Sequence, residues 1–255
     1  MSSSVDHLLL ESQLKQLQLS TFIENHAAFA ADAAQTQQSY TRYLLALSEQ
    51  EVQARHTRRR QRRLKEAKIP VVKDLATFDF NAIPQLNEKK ILQLAQGEYI
   101  DRKESVILLG NPGLGKTHIA SALAVAATQQ VRRVRFYNTA ALVHDLHKAQ
   151  QEQRLTSFIN RLTNHQLIVI DELGFIPFTT SGAQLMFQLC SALYERVALI
   201  ITTNLAFADW TQVFGDERLT VALLDRLTHR AHILEFVGES FRFRQRLQQQ
   251  AADYD

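Results

Sequence analysis

Cysteine, proline, glycine and tryptophan are all scarce in this chain: one, four, eight and one in 255 residues. A lone thiol, Cys190, can form no internal disulfide, and no further ligand stands near it at metal-binding spacing. A disulfide scaffold and a cysteine-based metal module are therefore excluded. Cys190 lies among Leu189, Ala192 and Leu193, where a small packed residue is expected. Long apolar runs are missing as well. The best candidates, such as Leu167 to Ile170, are cut short by acids, so no stretch can cross a bilayer. The opening MSSSVDHLLLESQLKQL carries no signal-peptide pattern. These absences fit a reducing, cytoplasmic compartment and no membrane partner. No glycine precedes Gly97 and no proline precedes Pro70, so nothing obvious breaks the first seventy residues or so.

What is present begins with enough apolar material, 45% of residues, to bury a core and argue against disorder. Leu8, Leu9, Leu14, Leu17 and Leu19 recur near helical spacing. Thr21 to Ala34 is alanine-rich, with Phe22, Ile23 and Phe29 to pack, and a third helix from near Gln38 carries Tyr40, Tyr43, Leu44 and Leu47. Ile69-Pro70 closes it, which predicts a small all-α domain over residues 1–69 and a second domain over 70–255. Net charge is only +3, yet residues 55–68 hold eight Lys/Arg and one Glu, leaving −4 for the rest. On a helical wheel Arg55, Arg58, Arg59, Arg62, Arg63 and Lys65 share about half the circumference, with Leu64 and Ala67 opposite. A solvated basic face would need no ligand. Six like charges on one face repel, however, and this favours a surface that tracks the phosphates of a polyanionic partner. No recognisable major-groove motif accompanies it, so the segment implies no base readout.

The most specific signal lies between Val106 and Ala127. Val106 to Leu109 reads as a short buried strand. Gly110-Asn111-Pro112-Gly113-Leu114-Gly115-Lys116-Thr117 then matches G-x-x-x-x-G-K-[ST], and Ile119, Ala122, Leu123 and Ala126 follow at helical spacing. Gly110, Gly113 and Gly115 let consecutive backbone N–H groups turn inward onto phosphate oxygens at a helix N-terminus. Lys116 supplies a mobile positive charge to the β/γ-phosphates of a nucleoside triphosphate, and Thr117 places a hydroxyl on Mg²⁺. His118, directly after the motif, joins the expected nucleotide-binding set.

From there strands and helices alternate, which predicts an α/β fold with a parallel five-stranded sheet flanked by helices. The expected strands after the first are Val134–Tyr137, Leu167–Ile170, Ala198–Ile201 and Ala231–Phe236. Right-handed crossovers put their carboxyl ends beside the phosphate loop. Asp171 and Glu172 follow the third strand, Asp171 as a Mg²⁺ anchor and Glu172 to polarise the attacking water. Asn204 ends the fourth strand, either to meet the γ-phosphate or to begin a turn. Arg226, in LLDRL, is either a partner of Asp225 or Asp216 or an arginine finger reaching a neighbouring subunit. Arg242 and Arg244 are weaker candidates for a nucleotide sensor. Phe78 and Phe80, in a segment expected to be extended, either line an adenine pocket or cap the core.

GNPGLGKT, LIVIDE, IITTN and LLDRL in this order resemble the AAA+ ATPases, in the branch of bacterial initiators and helicase loaders. With RHTRRRQRRLKEAKIP ahead of them and HILEFVGESFR behind, the chain resembles the IstB family, ATP-binding helpers encoded beside a transposase in insertion sequences. The resemblance implies assembly on DNA with ATP into a homo-oligomer, little sequence preference, and promotion of insertion by an IstA-like transposase. It gives Lys116 and Thr117 the phosphate-loop roles, Asp171 and Glu172 the magnesium and water roles, Asn204 the first sensor, Arg226 the finger and Arg242 the tail sensor. Few residues follow Phe236, so no long carboxy-terminal lid is expected. The rival readings are a DnaC-like replicative helicase loader and a non-hydrolysing, ATP-gated DNA scaffold.

Overall fold

A computed structural model describes residues 2–175 (backbone only for 2–4), 177–238 and 240. The chain forms two compact units, Met1–Arg62 and Arg63–Asp255. The boundary lies inside a helix and not at the expected 69/70 step. Ala67 is fully buried in the core of the second unit and Ile69 packs against that core, so the end of the helix belongs there. No helix among the described residues is long and apolar enough to cross a membrane.

The first unit holds α1 (Ser2–Gln16), α2 (Ser20–Gln35) and most of α3 (Tyr40–Ala67). With no glycine to use, α1 and α2 are followed by Gln18 and Gln37 in the left-handed region, at φ 56° and 52°. Leu19 offers α2 no side-chain cap. The buried Glu51 of α3 does this instead, accepting from the Thr21 N–H at 3.0 Å. Arg55 closes the arrangement, with Nε 2.6 Å from Glu51 Oε1 and its NH2 group donating to the Gln18 carbonyl at 2.9 Å.

In the second unit the segment after Pro70 is not extended. It makes two short 3₁₀ turns, Leu75–Thr77 and Phe80–Ala82, opened by Asp74 and Asp79, whose carboxylates accept from Ala76 N and Asn81 N. Then come α4 (Glu88–Ala95), α5 (Glu98–Asp101), β1 (Ser105–Gly110), α6 (Lys116–Gln129), β2 (Val134–Asn138), α7 (Thr139–Gln151), α8 (Leu155–Leu162), β3 (Leu167–Leu173), α9 (Thr180–Leu193), β4 (Ala198–Thr203), α10 (Trp210–Phe214), α11 (Glu217–Thr228) and β5 (Ala231–Phe236). The five strands are all parallel, in the order β2-β3-β4-β1-β5.

Alternate strand residues serve two cores, as the period-two geometry of a strand requires. Val106, Leu108, Val169 and Ile200 face a layer built from α4, α5 and α6. Ile168, Ile170, Leu199 and Ile201 face α7 to α11, with Trp210 and Cys190 buried among them. The central strands are therefore apolar on both sides, and polar chemistry is confined to their ends.

Candidate nucleotide site

β1 ends at Gly110, which pairs with Phe236 of the parallel β5. A Cβ there would sit 2.2 Å from the Phe236 carbonyl oxygen, so only glycine fits. Gly113 and Gly115, at φ 83° and 86°, turn the loop into α6, with Gly115 as its N-cap residue. Lys116 is only 9% exposed. Its Nζ curls back to donate to the carbonyls of Gly110 (2.5 Å) and Asn111 (2.8 Å). A cavity of about 630 Å³ opens over the loop. It is lined by Pro112 through His118, by the 70–83 segment, and by Glu172, Thr202, Thr203 and Asn204.

His118 holds that segment down. Its Nε2 lies 2.9 Å from the Asp74 carbonyl and 3.3 Å from Thr77 Oγ1, and its ring meets Phe78 edge-on at 5.2 Å. Phe78 both packs against the core and lines the cavity, where its ring lies so close to Gly115 that a Cβ would be 2.6 Å from Cε2.

The acid pair depends on an irregularity in β3. Ile170 pairs with Ile201, but Leu173 pairs with Thr203, so β3 carries one extra residue. Glu172 takes it up in the left-handed region at φ 62°, a bulge of the kind that re-aims a side chain. Asp171 stays buried at 5% exposure while Glu172 is exposed. Thr202 on β4 ties both, accepting from the Glu172 N–H at 2.8 Å and donating to Asp171 Oδ1 at 2.6 Å. Thr117 Oγ1 donates to the same Oδ1 at 3.0 Å. Burial pushes the Asp171 carboxyl above its ordinary range, and the Glu172 charge adds to this. The Thr202 and Thr117 hydrogen bonds and the Lys116 charge pull the other way. A buried carboxylate beside a threonine hydroxyl is a hard-oxygen donor set that suits Mg²⁺, whose charge would offset the cost of burial.

Two participants make contacts that no motif announces. Thr202, inside IITTN, is one. The other is Asn138, which ends β2 opposite Asp171. Its Oδ1 caps α7 by accepting from Ala140 N at 3.0 Å, which leaves Nδ2 to donate to Glu172 Oε2 at 2.8 Å. A polar residue that ends one strand and opens a helix is a readable cap signal. That it reaches the acid pair is not.

Asn204 lines the cavity beside Glu172 and Lys116. Arg226 does not. It sits at the opposite end of the sheet, in a crevice with Ser105 and Leu199 from the starts of β1 and β4. Neither expected acid holds it. Its NH1 group donates to the Ala222 carbonyl at 2.7 Å, and its guanidinium lies 5.0 Å over the Phe187 ring. Arg242 and Arg244 lie outside the described residues. Of the basic face, Arg55 is engaged by Glu51, and Arg58 reaches Thr21 Oγ1 at 3.5 Å. Arg63 pairs with Glu66 at 2.9 Å, while Arg59 and Lys65 are exposed. Arg55, Arg58, Arg59 and Arg62 line one groove with Lys15 of α1.

A parallel β2-β3-β4-β1-β5 sheet, with a phosphate loop after β1 and an acid pair on β3, defines a P-loop ATP-binding protein of the AAA+ class. The family model for the IstB-like ATP binding protein matches residues 12–249, and the chain belongs to that family. It is 39% identical over 93% of its length, and 89% of the other chain, to a Pseudomonas aeruginosa protein assigned by name as the ATP-binding protein of insertion sequence IS21. A Geobacillus stearothermophilus protein assigned in the same way to insertion sequence IS5376 is 34% identical, over 94% and 96% of the two chains. Among solved structures, the DnaC helicase loader superposes with a TM-score of 0.50 at 20% identity, covering 58% of this chain and 87% of that one. The replication initiator DnaA bound to AMPPCP and single-stranded DNA gives 0.52 at 17%, covering 69% and 54%. At those identities the likeness establishes the fold alone.

Proposed function

We propose that this protein hydrolyses ATP, assembles on duplex DNA with little sequence preference, and assists a transposase in DNA transposition. The observation that carries the hydrolytic part is the bulge in β3, which separates a buried Asp171 from an exposed Glu172 at the mouth of one phosphate-loop cavity. Bound ATP would bring the γ-phosphoryl group to be transferred to water, and Mg²⁺, when bound, would neutralise charge on the phosphate oxygens. The loop N–H groups bind phosphate. Lys116 exchanges the Gly110 and Asn111 carbonyls for phosphate oxygens. Thr117 and Asp171 are the residues that would hold the metal. Glu172, released from Asn138, orients a water and accepts its proton, and Asn204 positions the same water.

Arg226 can act only in trans. A six-residue strand spans about 20 Å, so the far end of the sheet cannot reach its own phosphate loop. Head-to-tail packing of copies would bring that end to a neighbour's cavity. The insertion-sequence relatives favour a transposition helper over a helicase loader, since the likeness to DnaC is one of fold.

Phosphate release by the full chain with Mg²⁺ and duplex DNA tests the reading. Glu172→Gln should keep ATP binding and slow turnover by about 100-fold or more. Turnover at the wild-type rate would move the water-positioning role to another residue. A transposition assay with the transposase from the adjoining reading frame then separates helper from loader.

A further inference from the structure

β2 is an outer strand of the sheet, and arginines flank it. Alternation sends Val134 and Phe136 into the core beneath α6 and turns Arg133 and Arg135 to the other face with Tyr137. Arg135 lies 5.0 Å over the Tyr137 ring and donates to the Glu66 carbonyl at 3.3 Å. Arg133 is exposed, with Nε donating to the Asn164 carbonyl at 2.6 Å. Arg161, in the last turn of α8, is exposed and lies 5.7 Å over Phe158. Among the described residues none of these three forms an ion pair, and the nearby Glu66 carboxylate is taken by Arg63. His165 lies within reach of the Arg133 and Arg135 charges and of the Arg161 backbone. Burial chiefly, and then the Arg135 and Arg133 charges, hold its ring below the ordinary histidine range.

A charged residue on an outer strand is a common guard against edge-to-edge pairing. One charge does that. Three arginines without an ion-pair partner go beyond that need, and each is fixed by a ring or a carbonyl with N–H groups to spare. Planar donors held in this way match phosphate oxygens.

We propose that Arg133, Arg135 and Arg161 form a further phosphate-backbone contact for duplex DNA, on the ATP-binding unit itself and in addition to the arginines of α3. This rests on the DNA-binding reading above and adds to it. The ATP-binding unit grips DNA directly, so part of the affinity survives loss of the α3 arginines.

The test is anisotropy titration of a labelled random-sequence duplex with the full chain and ATP, from low to moderate salt. Arg133→Gln with Arg161→Gln changes exposed positions and should keep the wild-type melting temperature and ATP affinity. Duplex affinity should fall roughly tenfold, and the log–log salt slope by about 0.9 for each lost contact. Lys89→Gln with Lys148→Gln removes the same charge elsewhere and should leave the slope unchanged. An unchanged slope in the arginine pair overturns the proposal, as does an equal drop in the lysine pair. If Arg59→Gln lowers the slope and the arginine pair does not, the further contact fails while DNA binding stands. If the wild-type chain shows no salt-dependent binding, the DNA reading fails and this contact with it.

Discussion

Asp171 is the residue at which function opposes stability. Its carboxyl takes up a proton more readily in the folded chain than in the unfolded one, because burial disfavours the charged form. A raised carboxylate pKa means that stability falls as pH rises from the ordinary value of 3.8 through the folded value, and the loss persists at neutral pH. Asp171→Asn keeps an Oδ1 acceptor for Thr117 and Thr202 and removes the charge. It should therefore melt higher than wild type at neutral pH without nucleotide, and the difference should vanish in acid. It should also lose Mg²⁺-dependent tightening of ATP. A lower melting point would show that the charge is already compensated in the folded chain. Arg55 shows the reverse case, a residue that reads as a DNA contact but supports its own unit. Arg55→Gln strands a buried carboxylate and should cost about 1–3 kcal/mol in chemical denaturation followed by helical signal. Arg59→Gln should leave that transition in place and lower the DNA salt slope by about 0.9.

At the scale of elements, most helices end without glycine, Gly97 after α4 and Gly215 after α10 excepted. Gln18, Gln37, Lys68, Lys103, Val131, Gln153 and Glu195 all take positive φ just after a helix, a position where glycine costs least. Helix ends in the first seventy residues were therefore hard to read, since side chains that are ordinary elsewhere make the turns. Gly110 is the contrary case. The obstruction is the β5 backbone, which cannot give way as a side chain does, so Gly110→Ala should cost about 3–5 kcal/mol in urea unfolding. A loss under about 1 kcal/mol would show that β5 shifts freely. β3 is the element the motif least describes. LIVIDE reads as a strand ending in two acids, whereas the strand continues to Leu173 through a bulge. That bulge becomes visible only against the register of β4.

On the scale of the whole molecule, the nucleotide cavity and Arg226 occupy opposite ends of one sheet, which makes a test by mixing decisive. Arg226→Ala alone should bind ATP and hydrolyse it poorly, because a finger stabilises charge that develops only in the transition state. Lys116→Ala alone should fail to bind ATP. In assemblies containing both variants, some interfaces pair an intact loop with an intact Arg226, and DNA-stimulated phosphate release should recover in part. No recovery, in mixtures shown by pull-down to contain both chains, would leave Arg226 as the local partner of Phe187 and the Ala222 carbonyl.

What the residue order determined by itself was local or periodic. The phosphate loop is a contiguous motif whose backbone geometry follows from its glycines, and strands apolar on both faces imply a sheet covered by helices. The acid pair could be placed because parallel strands deliver their ends to one rim. Only tertiary structure decided the contacts that join distant segments. Thr202 and Asn138 meet the acid pair from neighbouring strands, and Glu51 caps a helix thirty residues away. Arg55 is taken up by Glu51 and Arg226 by the Ala222 carbonyl, while Arg133 and Arg135 lie beside one outer strand near His165. No motif or period names the partners of these side chains. Their partners are chosen by packing, and their charge takes its meaning from burial and neighbours.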